Sequence, residues 1–237
     1  MATALVTDPS EGIGSAFARV LGARGHDLVL AGDDERELGR LAGELADRHD
    51  ITVEVMVVNL AEARGRSLVE DRLRDEDRMP VDLLVNTAAG GPATSAWSTP
   101  AHRLQAQFER NATTVLRLTT AALDGMVRRR RGAVINVSGT DGQAPWRARC
   151  TVQDAFVRSL SEDLAAALRG TQVHVMALCL GRRRCQVAGA AVDDVVRRAL
   201  RDVANRRVVS GRGSGLLAGL LPERWVNSSA ARWLVRR

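Results

Sequence analysis

Four positions carry side chains that could do chemistry. Asn111 lies in a helical stretch, Ser138 closes an apolar run, and Cys150 and Asp154 stand one helical turn apart. A thiol beside a carboxylate can in principle serve as acid, base or nucleophile. The carboxylate, however, raises the thiol's pKa, which is the wrong direction for a thiolate base. A small, partly buried packing cysteine is the favoured reading of Cys150. Ser138 reads in the same way as a hydrogen-bonding residue. His102 and His174 have no metal-ligand spacing, and no pair of acids suggests a metal or glycosidase site. His174 falls on an expected strand and should face a neighbouring helix. The chain contains no tyrosine, and all 34 of its basic Lys and Arg positions are arginine.

The second feature with chemical meaning is a glycine-containing turn, Thr7-Asp8-Pro9-Ser10-Glu11-Gly12-Ile13-Gly14, between a first strand and a first helix. Glycines there let the backbone approach a pyrophosphate, which the helix N-terminus then stabilises. The strand, turn and helix context raises this above a bare glycine pattern. The alternative is that Gly12 and Gly14 only serve the tight turn.

These residues are positioned by an alternation of short apolar runs and amphipathic stretches, which predicts parallel strands joined by crossover helices. Strands are expected at Ala2–Val6, Asp27–Leu30, Thr52–Val58, Val81–Val85, Ala133–Val137, Val173–Leu178 and Arg207–Ser210. Helices are expected from Gly12 to Arg24, from Asp34 to Arg48, up to about Asp75, up to Arg131, from Thr151 to Arg169 and from Val192 to Ala204. A Gly, Pro, Ser and Thr-rich loop spans Gly90 to Pro100, and a tail from Leu216 carries Trp225 and Trp233. No repeat or linker divides the chain. The expected fold is α/β: a single Rossmann-type doubly wound domain over residues 1–237, with about seven parallel strands and helices on both faces.

Composition narrows the partners. The net charge is +6, but 28 acidic residues are interspersed with the arginines and leave no basic face, so nucleic-acid binding is not expected. The run Arg128 to Arg131 sits where a helix ends, and cations favour that end of the dipole. No segment reaches the roughly 18 apolar residues of a membrane span. No signal peptide is visible, and the three cysteines form no CxxC pair, so reduced thiols in the cytoplasm are expected.

Taken together, the motifs resemble the short-chain dehydrogenase/reductase (SDR) family over nearly the full length. The turn at 7–14 resembles its Thr-Gly-x-x-x-Gly-x-Gly motif. Val85-Asn86-Thr87-Ala88-Ala89-Gly90 resembles its Asn-Asn-Ala-Gly, and Asn111 falls where the family has a helix Asn. Ile135-Asn136-Val137-Ser138 precedes the Ser region, Ala155 to Glu162 follows the Lys position, and Leu178-Cys179-Leu180-Gly181 resembles the Pro-Gly turn. Val208 to Gly211 and the Leu-rich stretch ending at Pro222 are similar to an actinobacterial-looking subgroup. The resemblance implies a catalytic Ser, Tyr, Lys and Asn, and an NAD(P) cofactor. The Tyr suits this role because a phenol of pKa about 10 can be pulled toward neutrality by an adjacent cation.

The departures from that pattern fall at the functional positions. The resemblance places the Ser at Gly139, the Tyr at Cys150 and the Lys at Asp154, so only Asn111 of the four remains, with Ser138 one residue short. Asp8 replaces the first motif glycine, and its charge at about 4 Å from a phosphate would cost several kcal/mol. Asp33 stands where NADP-using relatives often carry Arg. It repels a 2′-phosphate but can accept a bond from a ribose hydroxyl. The cofactor-binding set implied is Thr7, Ser10, Gly12, Ile13, Gly14, Asp33, Asn59 and Asn86, with binding weak or lost and NAD favoured over NADP. The segment from Arg182 to Ala191, where relatives carry a substrate lid, is short.

Catalytic positions, phosphate turn and lid have changed together. The expectation is a degenerate SDR-like subunit or scaffold, a homo- or hetero-oligomer that can pair with an active SDR-type oxidoreductase. Its interface would use apolar stripes on the two long helices, Leu104, Phe108, Val115, Leu118 and Leu123, and Val157, Leu160, Leu164 and Leu168, although the chain's own core is expected to claim part of each stripe. The alternatives are a biosynthetic enzyme of non-redox chemistry, such as cyclisation, dehydration or isomerisation, and a residual NAD(P)-dependent oxidoreductase.

Overall fold

Short, nearly continuous apolar runs, buried on both faces, build the centre of the molecule. The computed structural model describes residues 2–10, 12–87, 100–138, 152–180 and 190–210. Strands β1 (Thr3–Thr7), β2 (Asp27–Gly32), β3 (Val53–Val57), β4 (Val81–Asn86), β5 (Gly132–Ser138), β6 (Val173–Cys179) and β7 (Val209–Ser210) form one sheet in the order β3-β2-β1-β4-β5-β6-β7. Every pairing is parallel. The strand order reverses between β1 and β4, so a crevice opens where their C-terminal ends diverge.

Helices α1 (Gly12–Gly22), α2 (Glu35–His49), α3 (Ala63–Arg74), α4 (Ala101–Phe108), α5 (Thr114–Arg128), α6 (Val152–Ala167) and α7 (Ala190–Ala204) cover both faces. On one face Phe17, Leu21, Leu41, Leu45, Val196 and Leu200 pack on Val6, Leu28, Leu30, Leu83 and Ile135. On the other, Val69, Leu73, Leu118, Ala122 and Met126 pack on Leu5, Val29, Leu84 and Val134. Each such side chain contributes about 1.5–3 kcal/mol by leaving water. The doubly wound parallel sheet predicted from the sequence is the one observed.

The ends of the elements have local causes. Asp34 is the N-cap of α2 and accepts the Glu37 N–H at 3.0 Å. That cap is worth about 1 kcal/mol. The helical region expected to run unbroken to Arg131 is instead interrupted by one π turn, Glu109–Thr113, and ends at Arg128. Past it, Arg130 adopts a left-handed φ of 51°. The arginines there do more than complement a dipole. Arg128 pairs with Asp124 and Glu76, Arg129 with Glu76, and Arg131 with Asp82 at 2.7 Å.

The apolar stripes expected to face a partner are corrected by the structure. Val115, Leu118, Leu123 and Val157 are buried within the chain. Leu164 and Leu168 pack half-buried on the same core. A helix that lies on a sheet must first cover that sheet, and this claims the strongest stripe. The apolar side chains left in solvent on α4 and α5 are Phe108, Leu116 and Val127. The side chain of Leu104 and the tail from Leu216 fall outside the described residues. No described helix is long and apolar enough to cross a membrane.

Candidate functional site at the strand ends

The crevice is built first by its turn. Thr7 and Thr87 close the ends of β1 and β4 with reciprocal bonds: the Thr87 N–H donates to Thr7 Oγ1 at 2.9 Å, and the Thr87 hydroxyl donates to the Thr7 carbonyl. Asp8 follows with a left-handed φ of 44°, its N–H donating to the Ala31 carbonyl at 2.7 Å. This conformation costs a side-chain-bearing residue about 1–2 kcal/mol relative to glycine. It explains why a glycine would be the unstrained choice there. Gly14 is required by packing, since a Cβ would sit 2.6 Å from the Asp8 carbonyl oxygen. Gly12 is left-handed at φ 58°, and a Cβ there would meet nothing within 4 Å. Ser10 is half-buried, and Ile13 packs against the core of the α1 face. Ser15 donates to the Gly12 carbonyl at 3.1 Å and tightens the first turn of α1.

The electrostatics of this mouth are acidic. The Asp8 carboxyl is pushed up to about 6, first by burial and then by Asp33. Its Oδ1 lies 3.5 Å from where a Cβ of Gly32 would stand, so the carboxyl hangs over the end of β2. Asp33 is exposed beside it. Asn59 is also exposed, but its amide is engaged locally: Oδ1 accepts the Ala61 N–H and Nδ2 donates to Glu62, both at 3.0 Å.

Asn86 is fully buried and belongs to an internal network rather than to the crevice surface. Its Nδ2 donates to Asn136 Oδ1 at 2.8 Å and to Thr119 Oγ1 at 3.2 Å. Thr119 donates to the same Asn136 oxygen, Asn136 donates to Ser161 Oγ at 3.1 Å, and Ser161 donates to the Val157 carbonyl. This network ties β4, β5, α5 and α6 together.

The expected catalytic positions are only partly within the described residues. Gly139 and Cys150 lie outside them. Asn111 is 3% exposed and sits in the π turn, whose widened backbone is a frequent marker of functional sites. Asp154 lies half-buried in the first turn of α6, where a carboxylate favours the helix dipole. Phe108 meets Phe156 edge to face at 5.8 Å and joins α4 to α6 beside it. Ser138 is buried, and its hydroxyl donates to Cys179 Sγ at 3.7 Å. Burial pushes the Cys179 thiol above its ordinary value. The Ser138 hydroxyl and Arg158 oppose that rise, and Asp154 and Glu162 add to it. Cys179 was not singled out in the sequence, yet it is the register partner of Ser138 across β5 and β6. Strand pairing was the signal that could have found it. His174 is buried on β6, and its pKa is lowered to about 4 by burial and by Arg206. Among the described residues no group of His, Cys, Asp and Glu could hold a metal.

A turn of this form at a strand-order reversal can hold a dinucleotide. The left-handed, open Gly12 leaves backbone accessible to a phosphate, and Asp33 can accept from ribose hydroxyls. The Gly12 backbone and the Asp33 carboxylate are the groups that would hold it.

The family comparison decides the lineage. A model of the short chain dehydrogenase family matches residues 2–195. The chain belongs to that family. An uncharacterized oxidoreductase of Myxococcus xanthus is 32% identical over 181 residues, covering 76% of this chain and 71% of the relative. The NADP-dependent 3-hydroxy acid dehydrogenase YdfG of Escherichia coli K12 is 28% identical, covering 72% and 68%. The solved short-chain dehydrogenase from Sphingobium yanoikuyae in complex with NADPH superposes with a TM-score of 0.76 at 29% identity, covering 89% of this chain and 87% of that one.

Proposed function

We propose that this short-chain dehydrogenase family member is a catalytically silent subunit or scaffold that pairs with an active oxidoreductase of the same family. One observation carries the reading: the chain holds neither a tyrosine nor a lysine at any of its 237 positions. A phenol tuned by an ammonium is therefore unavailable anywhere in it. The carboxylate of Asp154 stands where the resemblance puts the cation, and the left-handed Asp8 stands in the phosphate turn. What the chain retains is architecture: the sheet, the π turn at Asn111 and exposed apolar side chains on α4 and α5. The nucleotide site belongs to the same reading as a weak one, favouring NAD over NADP.

The test is co-purification of the tagged full chain from its native host, with bound proteins identified by mass spectrometry. A Tyr- and Lys-bearing homologue in stoichiometric amount supports the proposal. A strictly monomeric chain without such a partner removes it.

A second reading is supported by the relatives, whose names are those of oxidoreductases and NADP-dependent dehydrogenases. In it the chain is a residual NAD(P)-dependent oxidoreductase with a substitute acid. When bound, the dinucleotide supplies hydride transfer. Loss of the general acid alone lowers rates by about 10²–10⁴-fold. Turnover of ketones or alcohols within about tenfold of an ordinary relative would favour this second reading.

A further inference from the structure

The turn between β1 and α1 contains a charge that dinucleotide chemistry does not call for. Asp8 holds a left-handed φ of 44°, half-buried, at the point where β1 leaves the sheet. Its N–H is anchored on the Ala31 carbonyl, and its Oδ1 is directed over Gly32 at the end of β2. That end of β2 is where an adenosine ribose lies in doubly wound folds, and the neighbouring turn is where its phosphates lie. Among the described residues, the charged group acting on the carboxyl is Asp33, from the same strand end. Asp34, the next residue, is committed to the N-cap of α2. The side chains that face the turn from β1 and β4, Thr7 and Thr87, are neutral and bonded to each other's backbone.

We propose that Asp8 makes nucleotide entry into this crevice proton-linked, its carboxyl placed over the end of β2 so that a dinucleotide binds there with uptake of one proton. The inference rests on the reading of the crevice as a weak nucleotide site. A pyrophosphate brought beside an ionised Asp8 raises the cost of its charge, and a proton on Asp8 removes that cost. Because the carboxyl already titrates near 6, protonation is accessible in mildly acidic solution. Asp33 stays exposed and charged next to it, so relief at Asp8 leaves a 2′-phosphate disfavoured. Affinity for NAD should fall as pH rises, and NADP should bind more weakly throughout.

The experiment is calorimetric titration of the full chain with NAD and with NADP at about pH 5 and about pH 8, in buffers of differing ionisation heat so that proton uptake is counted. Asp8→Asn removes the charge, Asp8→Gly removes both charge and strain, and Asp33→Asn tests the ribose side. Wild type should bind NAD at least about tenfold more tightly at the acid pH, with close to one proton taken up near neutrality. Asp8→Asn and Asp8→Gly should show the tighter affinity at both pH values, with no proton uptake. Asp33→Asn should narrow the gap between NAD and NADP. Binding that is independent of pH, or a pH slope that survives in both Asp8 variants, overturns the proposal while leaving the nucleotide site intact. Failure of wild type and all three variants to bind either nucleotide overturns the proposal and the nucleotide reading together.

Discussion

Ser138 on β5 donates its hydroxyl to the sulfur of Cys179, its register partner on β6, at 3.7 Å. The bond turns the serine across the sheet, away from the acid–base role that its neighbourhood first suggests. It also opposes the upward push of burial on the thiol. Ser138→Ala removes that opposition. Alkylation of Cys179, followed site by site with mass spectrometry, should slow by roughly two- to fivefold at mildly alkaline pH, because less thiolate is present. Stability should fall by about 1 kcal/mol or less. Faster alkylation of Cys179 in this variant would contradict the assignment.

Asp8 should make the protein less stable as pH rises. Its folded pKa of about 6 lies above the ordinary value of 3.8, so the folded state holds the proton more tightly than the unfolded chain. The associated stability is present below the lower value and is lost as pH rises through the higher one. That difference corresponds to about 3 kcal/mol. Asp8→Asn should therefore match wild type near pH 4 and exceed it by up to about 3 kcal/mol above pH 7, read from urea unfolding. Asp8→Gly should show the same pH trend, with about 1 kcal/mol added by relief of the left-handed strain. Equal stability of wild type and Asp8→Asn at neutral pH would show the carboxyl to be better solvated than it is here.

His174 has the opposite sign. Its folded pKa of about 4 lies below 6.5, so the unfolded chain binds the proton more readily. Stability tied to this group is present above 6.5 and is lost as pH falls through the folded value. Its Nε2 is buried without a hydrogen-bond partner among the described residues. His174→Leu should be near neutral or stabilising at about pH 7 and should remove up to about 3 kcal/mol of acid sensitivity. Between roughly pH 4 and pH 6.5 the slopes from Asp8 and His174 oppose each other. The wild-type profile should be flatter there than that of either single variant. A wild-type profile as steep as a variant's would show that one of the two groups does not titrate as described.

The buried network gives a stability test that is independent of pH. Asn136 receives from Asn86 and Thr119 and donates to Ser161. Asn136→Leu removes three buried hydrogen bonds, while Asn86 still donates to Thr119 and Ser161 to the Val157 carbonyl. At a net of about 0.5–1.5 kcal/mol for each hydrogen bond lost, the loss should reach roughly 2 kcal/mol or more. A loss below about 1 kcal/mol would mean that the network carries little energy.

Much of this was legible in the sequence, for physical reasons. Strands such as Leu28–Leu30 and Val134–Ile135 are apolar on both faces, the signature of a sheet covered by helices on both sides. The turn at 7–14 was readable because strand, glycines and helix fall in order. Two things were not readable. Periodicity shows that Val115 and Leu118 share an apolar stripe, but not whether a sheet or a partner covers it. The partnership of Ser138 with Cys179 and that of Asn86 with Thr119 join residues far apart in sequence, and only strand order and the packing of α5 on the sheet bring them together.

That limit reshapes the assembly prediction. Val115 is 0% exposed and Leu116, the next residue, is 41% exposed. An arginine at Val115 would place an unpaired charge in the core at a cost of several kcal/mol, so Val115→Arg should unfold the protein rather than dissociate it. Leu116→Arg places the same charge in solvent on α5, and the monomer should keep its stability within about 0.5 kcal/mol. If α5 is the surface through which the chain pairs with a copy or a homologue, burial of that charge in the assembly should disperse it. Light scattering at rising concentration should then show an oligomer for wild type and a folded monomer for Leu116→Arg, with unchanged circular dichroism. An assembly that survives both Leu116→Arg and Phe108→Arg would move the interface off α4 and α5. A wild type that remains monomeric at every concentration and with every homologue would leave the subunit reading without a surface.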